Sequence, residues 1–109
     1  MDILVEQEAG QCRIAVNGEM TIYTAAEVRE KLLVPIANCR DTEIEVDLAN
    51  VTDMDTAGQQ LLIAAKIASV ARRNSLRLVR HSPAVLEVLD LYGLGRFFGD
   101  PVLMQRPSE

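Results

Sequence analysis

The hydrophobic period of this chain switches between two residues and about 3.6 residues in a set order, and that order leaves few folds open. In "EIEVDLANV", residues 43 to 51, Ile44, Val46 and Leu48 alternate with Glu43, Glu45 and Asp47, the pattern of a strand with one buried face. "AGQQLLIAAKIASVARRN", residues 57 to 74, is apolar over much of a helical circumference and ends with Arg72 and Arg73, cations that suit a helix C-terminus. "LRLVR" then reads as a short strand. In "HSPAVLEVLDLYGLG" Ser82 is the N-cap, Pro83 takes the first helical position, Val85, Leu86 and Leu89 make the apolar face, and Gly93 is the stop.

The first third follows the same logic. "DILVEQ" (2–7) and "CRIAVN" (12–17) are short β-type runs separated by "EAG", which predicts an opening hairpin. In "TIYTAAEVREKLLVPIAN", Thr24-Ala25-Ala26-Glu27 has the spacing of a capping box, so a helix should begin at Thr24 with Val28, Leu32 and Ile36 on one face. Pro35 lacks a backbone donor, and the helix should kink or end near it. The predicted order is β-β-α-β-α-β-α, with "PVLMQ" (101–105) as a candidate last strand. Residues 1–109 are expected to form a single α/β domain, a mixed sheet with helices packed on it.

A chain of 109 residues suits one core and leaves no room for separate cofactor and substrate domains. A net charge of -5 argues against a nucleic-acid partner, since phosphate binding needs a basic face. Cys12 and Cys39 show no metal or redox spacing and read as two buried thiols, which suits a reducing compartment. The N-terminus has no signal-peptide pattern, and no apolar run approaches the ~18 residues of a membrane span. A cytoplasmic protein with no direct membrane insertion is expected.

Chemistry-bearing residues concentrate in "TDMDTAGQQLL", residues 52 to 62. Thr56-Ala57-Gly58-Gln59 is a second capping box, with the Thr56 oxygen accepting from a first-turn amide and Gln59 reaching back. Gly58 would destabilise that turn by roughly 1 kcal/mol relative to alanine, which makes sense if something approaches the backbone closely. A hydroxyl at a helix N-terminus is also placed where amides and dipole favour an added anion. Enzyme readings are weaker. "DMDTA" lacks the threonine or valine that the aspartate-nucleophile phosphatase pattern requires, since Ala57 stands there. Asp53 and Asp55 lack an obvious third carboxylate for magnesium, and the single histidine, His81, has no paired nucleophile. No catalytic residue, metal site or cofactor is expected.

Three blocks together, "NGEMTIYTAAEVREKL", "EVDLANVTDMDTAGQQLLIAAK" and "LRLVRHSPAVLEVLDLYGL", resemble the STAS domain, the bacterial family of anti-sigma factor antagonists and related regulatory modules. The middle block, a strand ending "DL" followed by an acidic turn and D-(S/T)-x-G, is the most specific. The resemblance implies a non-enzymatic protein-binding module whose regulatory hydroxyl is Thr56. In the family that hydroxyl is phosphorylated by a partner kinase, often an anti-sigma factor, and a PP2C-type phosphatase reverses the reaction. Two positions depart from the better-known antagonists, which have serine at Thr56 and often an acid at Thr21. "DTAG" is similar to STAS proteins of chemotaxis-like clusters, and to the small STAS subunit of lipid-trafficking ABC transporters. Partner candidates are therefore an anti-sigma factor or serine kinase, a chemotaxis kinase, or an ABC transporter subunit. The expected docking site comprises Asp53, Asp55, Thr56, Gly58, Gln59 and Gln60, with Ile63 extending it along the helix and Thr21 flanking it from the loop Gly18–Tyr23.

Overall fold

In the computed structural model, which describes residues 2–91, the chain opens with an antiparallel hairpin of β1 (Asp2–Glu8) and β2 (Gln11–Met20). It continues through α1 (Ala25–Ala37), β3 (Glu43–Asp47), β4 (Val51–Met54), α2 (Thr56–Ala71), β5 (Ser75–Val79) and α3 (Pro83–Leu91). The sheet runs β1-β2-β3-β5, with β3 parallel to both β2 and β5. Gly93 and the candidate strand at "PVLMQ" lie outside the described residues.

The order contains one strand more than the sequence pattern predicts. β4 pairs in parallel with the end of β2, where Glu19 faces Asp53 and Met20 faces Met54. Its four residues bury Val51 and Met54 at the two ends and expose Thr52 and Asp53 between them, so no period of two exists to be read. The pairing also shifts register between Gly18 and Glu19, so that Thr52 is left over on β4. Gly18 sits at φ 119, a conformation that side-chain-bearing residues rarely adopt. β2 is accordingly longer than the six residues of "CRIAVN", and its last residues lead directly to the site.

One face of the sheet carries the core. Cys12, Ile14 and Val16 of β2, Ile44 and Val46 of β3, and Leu76 and Leu78 of β5 are all buried, as alternation requires. Val28, Leu32 and Ile36 of α1, Leu61, Leu62 and Ala65 of α2, and Val85 and Leu89 of α3 close over them. Burial and the neighbouring Cys39 push the Cys12 thiol up to about 11, which makes Cys12 an inert core residue; Cys39 is a free, buried thiol as well. The C-terminal ends of α1 and α2 are tied together. Asn74 Nδ2 donates to the Cys39 carbonyl at 3.1 Å, and Arg72 Nε donates to the same oxygen at 2.9 Å.

The other face is polar, and there Arg13, Glu45 and Arg77 form an ion-pair ladder across β2, β3 and β5. Asp47 belongs to this face by register but is 6 % exposed, because Arg80 covers its carboxylate and the Ala49 amide donates to it.

Helix starts follow the sequence in two of three cases by position, less so by chemistry. Ser82 caps α3, its hydroxyl accepting from the Val85 amide at 3.3 Å. Thr24 stands at the N-cap of α1, but the capping box does not form. Its hydroxyl instead donates to the Glu19 carbonyl at 2.9 Å and accepts from the Thr21 amide at 3.1 Å. Those bonds fold residues 19–24 into a tight turn, which outcompetes the local cap. Pro35 is accommodated in the last turn of α1, which ends two residues later.

Gly58 shows why the end of β2 can reach α2. A Cβ at this position would lie 2.2 Å from the Met20 carbonyl oxygen and 2.9 Å from Met20 Cβ. Neither atom can easily withdraw, because Met20 is fully buried and its carbonyl also accepts from the Asp55 amide at 3.3 Å. Gly58→Ala should therefore destabilise the domain by about 1–3 kcal/mol through overpacking, outweighing the ~1 kcal/mol that alanine gains in helix propensity. Urea melts measure the difference, and an alanine variant as stable as wild type would contradict the close approach.

Candidate functional site

α2 begins under the turn formed by residues 19–24, and a single carboxylate joins the two. Asp55, in extended conformation at φ -127 and ψ -168, is the N-cap of α2. Its Oδ1 accepts from the amides of Ala57 at 2.9 Å and Gly58 at 3.2 Å. Its Oδ2 accepts from the Ile22 amide at 2.9 Å, across the gap to the turn. The Ile22 amide, followed by those of Gly58 and Ala57, holds the Asp55 carboxyl below its ordinary 3.8, against an opposing effect of burial.

Thr56 is consequently not the cap. It is the first helical residue, its side chain is exposed, and the predicted capping box with Gln59 is absent. Two good capping residues stand side by side here, and the carboxylate wins because it has a second oxygen to offer the Ile22 amide. The amides that would receive an added anion are also occupied, since Asp55 takes those of Ala57 and Gly58. A phosphate on Thr56 would thus arrive beside a carboxylate already using the helix N-terminus.

The turn is held internally by its two threonines. Thr21 is buried, and its hydroxyl accepts from the Tyr23 amide at 3.3 Å and donates to Glu19 Oε1 at 3.4 Å. Ile22 and Tyr23 project outward, 69 % and 91 % exposed. Next to them Glu19 and Asp53, both exposed, lie opposite each other in the β2–β4 register. Like charges so placed repel, and this acidic end of the sheet is the one from which the chain passes through Asp55 to Thr56.

The predicted site residues therefore divide by accessibility. Asp53, Thr56 and Gln60 are exposed, and Asp55 and Ile63 are partly so. Gly58 lies under Met20, Thr21 is built into the turn, and Gln59 is 7 % exposed. Ile63 also packs against the core, while Ile67 and Val70 on the same helix are 61 % and 62 % exposed. Positions 56, 60, 63, 67 and 70 recur at helical spacing, so a stripe runs from Thr56 along α2. Sequence reasoning placed the loop Gly18–Tyr23 beside the site without singling out Ile22 and Tyr23, and it missed Ile67 and Val70. The available signals were two apolar residues inside a turn and a helix apolar on too many sides to bury.

A groove of about 300 Å³ lined by Glu6, Glu8, Gln11, Arg13, Glu43 and Glu45 lies near the opposite end of β2, eight or so residues from Met20. At ~3.3 Å per residue that is some 25 Å away, so it is separate from the site around Asp55. Among the described residues no three His, Cys, Asp or Glu side chains converge as metal ligands.

The sequence profile of the family described as "Mlab, STAS domain" matches residues 3–104. The anti-sigma-B factor antagonist of Staphylococcus epidermidis is 31% identical over 81 residues, which is 74% of either chain. Among solved structures, an anti-sigma factor antagonist from Mycobacterium paratuberculosis superposes with a TM-score of 0.79 at 22% identity, covering 94% of this chain and 91% of that one. The Bacillus cell fate determinant SpoIIAA, solved in its phosphorylated form, gives 0.61 at 24% identity over 91% and 90% of the two chains. These two structures share the fold.

If Asp55 rather than Thr56 is the cap, Asp55→Ala should lower stability by about 0.5–2 kcal/mol, whereas Thr56→Ala should change it by less than about 0.5 kcal/mol. Folding lowers the Asp55 pKa, so the unfolded chain takes up the proton first on acidification. The Asp55 contribution is then full above pH 3.8 and disappears as pH falls through the lower folded value. Thermal melts of wild type and Asp55→Ala across this range should converge at the acid end. A Thr56→Ala cost equal to or above that of Asp55→Ala would return the cap to Thr56, and a gap that persisted at the acid end would contradict a contribution carried by the Asp55 charge.

Proposed function

This chain belongs to the STAS domain family, and on that basis we propose that it is a non-enzymatic, cytoplasmic docking module whose contact with a protein partner is switched by reversible phosphorylation of Thr56. The observation that carries this reading is the exposure of Thr56 on the first turn of α2, beside Asp53 and Asp55 and next to the projecting Ile22 and Tyr23. The relatives named above are anti-sigma factor antagonists, and SpoIIAA, one of the structural neighbours, exists in a phosphorylated form. The corresponding partner of this chain is a kinase-type anti-sigma factor, and a PP2C-type phosphatase would restore the hydroxyl.

The switch works by charge. Phosphorylation adds about -1.5 to -2 at the end of the domain where Glu19 and Asp53 pair in register and Asp55 precedes Thr56. A partner surface fitted to a neutral hydroxyl and apolar neighbours would then have to bury an unpaired dianion, which is costly. The domain itself remains folded, because Thr56 is exposed and makes no capping bond.

The distal stripe supports a second reading. Val70 lies fourteen residues beyond Thr56, roughly 21 Å along the helix axis. That exceeds the ~8 Å screening length of physiological salt. Contacts made at Ile67 and Val70 would persist whatever the state of Thr56, as suits a constitutive subunit of an ABC transporter or a chemotaxis-kinase array.

Calorimetric titration against an anti-sigma factor, a chemotaxis kinase and an ABC transporter ATPase from the same organism separates these readings. Thr56→Glu should bind its partner at least about tenfold more weakly, a loss of ~1.4 kcal/mol, with an unchanged circular dichroism spectrum. Equal binding by wild type and Thr56→Glu, combined with loss of binding in Ile67→Asp, would replace the switch with the constitutive reading.

A further inference from the structure

We propose that Asp55 is a positioning residue that transmits the charge state of Thr56 to the turn bearing Ile22 and Tyr23, so that modification moves the docking surface as well as repelling the partner. The inference rests on Thr56 being the modified residue. It goes further in naming the element that responds and the bond through which it does so.

The argument begins with the division of labour within one carboxylate. Oδ1 serves the helix, at 2.9 Å and 3.2 Å from the Ala57 and Gly58 amides, and Oδ2 serves the turn, at 2.9 Å from the Ile22 amide. Both oxygens are oriented by the same side-chain torsions, so a rotation that disturbs Oδ1 at the helix also moves Oδ2 away from the turn. Thr56 is the adjacent residue, and a phosphate there is drawn by the helix dipole toward the same first-turn amides. It would compete with Oδ1 for those amides and repel Oδ2. The bond to Ile22 is the one with least to resist this, because the Ile22 side chain is 69 % exposed and adds little packing of its own.

The turn has the construction of a unit that can swing without unravelling. Thr24 Oγ1 bridges the Glu19 carbonyl and the Thr21 amide, the Thr24 amide donates to the Thr21 carbonyl at 3.0 Å, and the Tyr23 amide donates to Thr21 Oγ1. Loss of the Asp55 bond leaves all four in place. Ile22 and Tyr23, the most exposed apolar side chains of the site, would then change their bearing relative to α2.

Asp55→Asn separates this role from simple capping. Asparagine caps a helix about as well as aspartate, so its Oδ1 can keep the Ala57 and Gly58 amides. The other group becomes an NH2, which cannot accept from the Ile22 amide. Native-state hydrogen exchange on the full chain, read residue by residue by NMR, gives the result without any partner. Asp55→Asn and Thr56→Glu should each accelerate exchange at Ile22 by at least about tenfold, with core amides such as Ile14 and Val46 unchanged. The double variant should add little to either single change, because both act through one bond. Thr56→Glu leaving Ile22 exchange at the wild-type rate would overturn the coupling, even where partner binding is lost by direct repulsion. So would uniform acceleration of all amides, which marks general destabilisation, or full additivity in the double variant. The failure of Thr56→Glu to weaken partner binding is a separate result that bears on the proposed function alone. Should Asp55→Asn not fold, the exchange pattern of Thr56→Glu decides.

Discussion

The Met20 carbonyl oxygen occupies space 2.2 Å from where a Cβ at residue 58 would sit, and this close approach sets the geometry of the whole site. With Met20 pressed against the first turn of α2, the chain that follows must turn over the helix N-terminus. The Ile22 amide then comes within 2.9 Å of a carboxylate that is already capping the helix. Any larger residue at 58 would lift β2 from α2, and the Asp55 bridge would have nothing to span. Packing therefore comes first in the causal order, the bridge second, and the exposed hydroxyl of Thr56 third.

Much of this was legible in the sequence, for reasons particular to each element. Ile44, Val46 and Leu48 alternate with acids and are all buried, so β3 could be read from its period alone. Gly58 could be read as a close approach, because a glycine in a first helical turn demands a reason. β4 could not be read: it is four residues long, lacks alternation and exists because the shift at Gly18 brings β2 alongside it. The cap was misplaced by one residue for a related reason. Asp55 and Thr56 are both good caps locally, and the choice between them depends on the Ile22 amide, thirty-three residues away in sequence. Gln59 was expected at the surface, but it faces inward, since α2 packs on both the sheet and α1 and leaves a narrow outer face.

The charges of the domain are sorted by location. On the open face of the sheet Glu45 sits between Arg13 and Arg77, whose hydrogen bonds, that of Arg77 foremost, hold its carboxyl below the ordinary range. Exposed pairs of this kind contribute about 0–1 kcal/mol each, so they shape the surface more than they hold the fold. Around the N-terminus of α2, by contrast, Glu19 and Asp53 face each other in the strand register, one acid opposite another. Acids placed opposite each other repel, so this end of the sheet is well suited to amplifying one further negative charge, and poorly suited to receiving it silently.

The central claim is that one carboxylate serves the helix and the turn together. Proton–nitrogen correlation spectra recorded as the pH is lowered would report on both sides of it in one experiment. The account predicts that the Ile22, Ala57 and Gly58 amides shift together with a single midpoint below 3.8, the ordinary value for aspartate. An Ile22 amide that titrated with a different midpoint, or did not respond while Ala57 and Gly58 did, would contradict it.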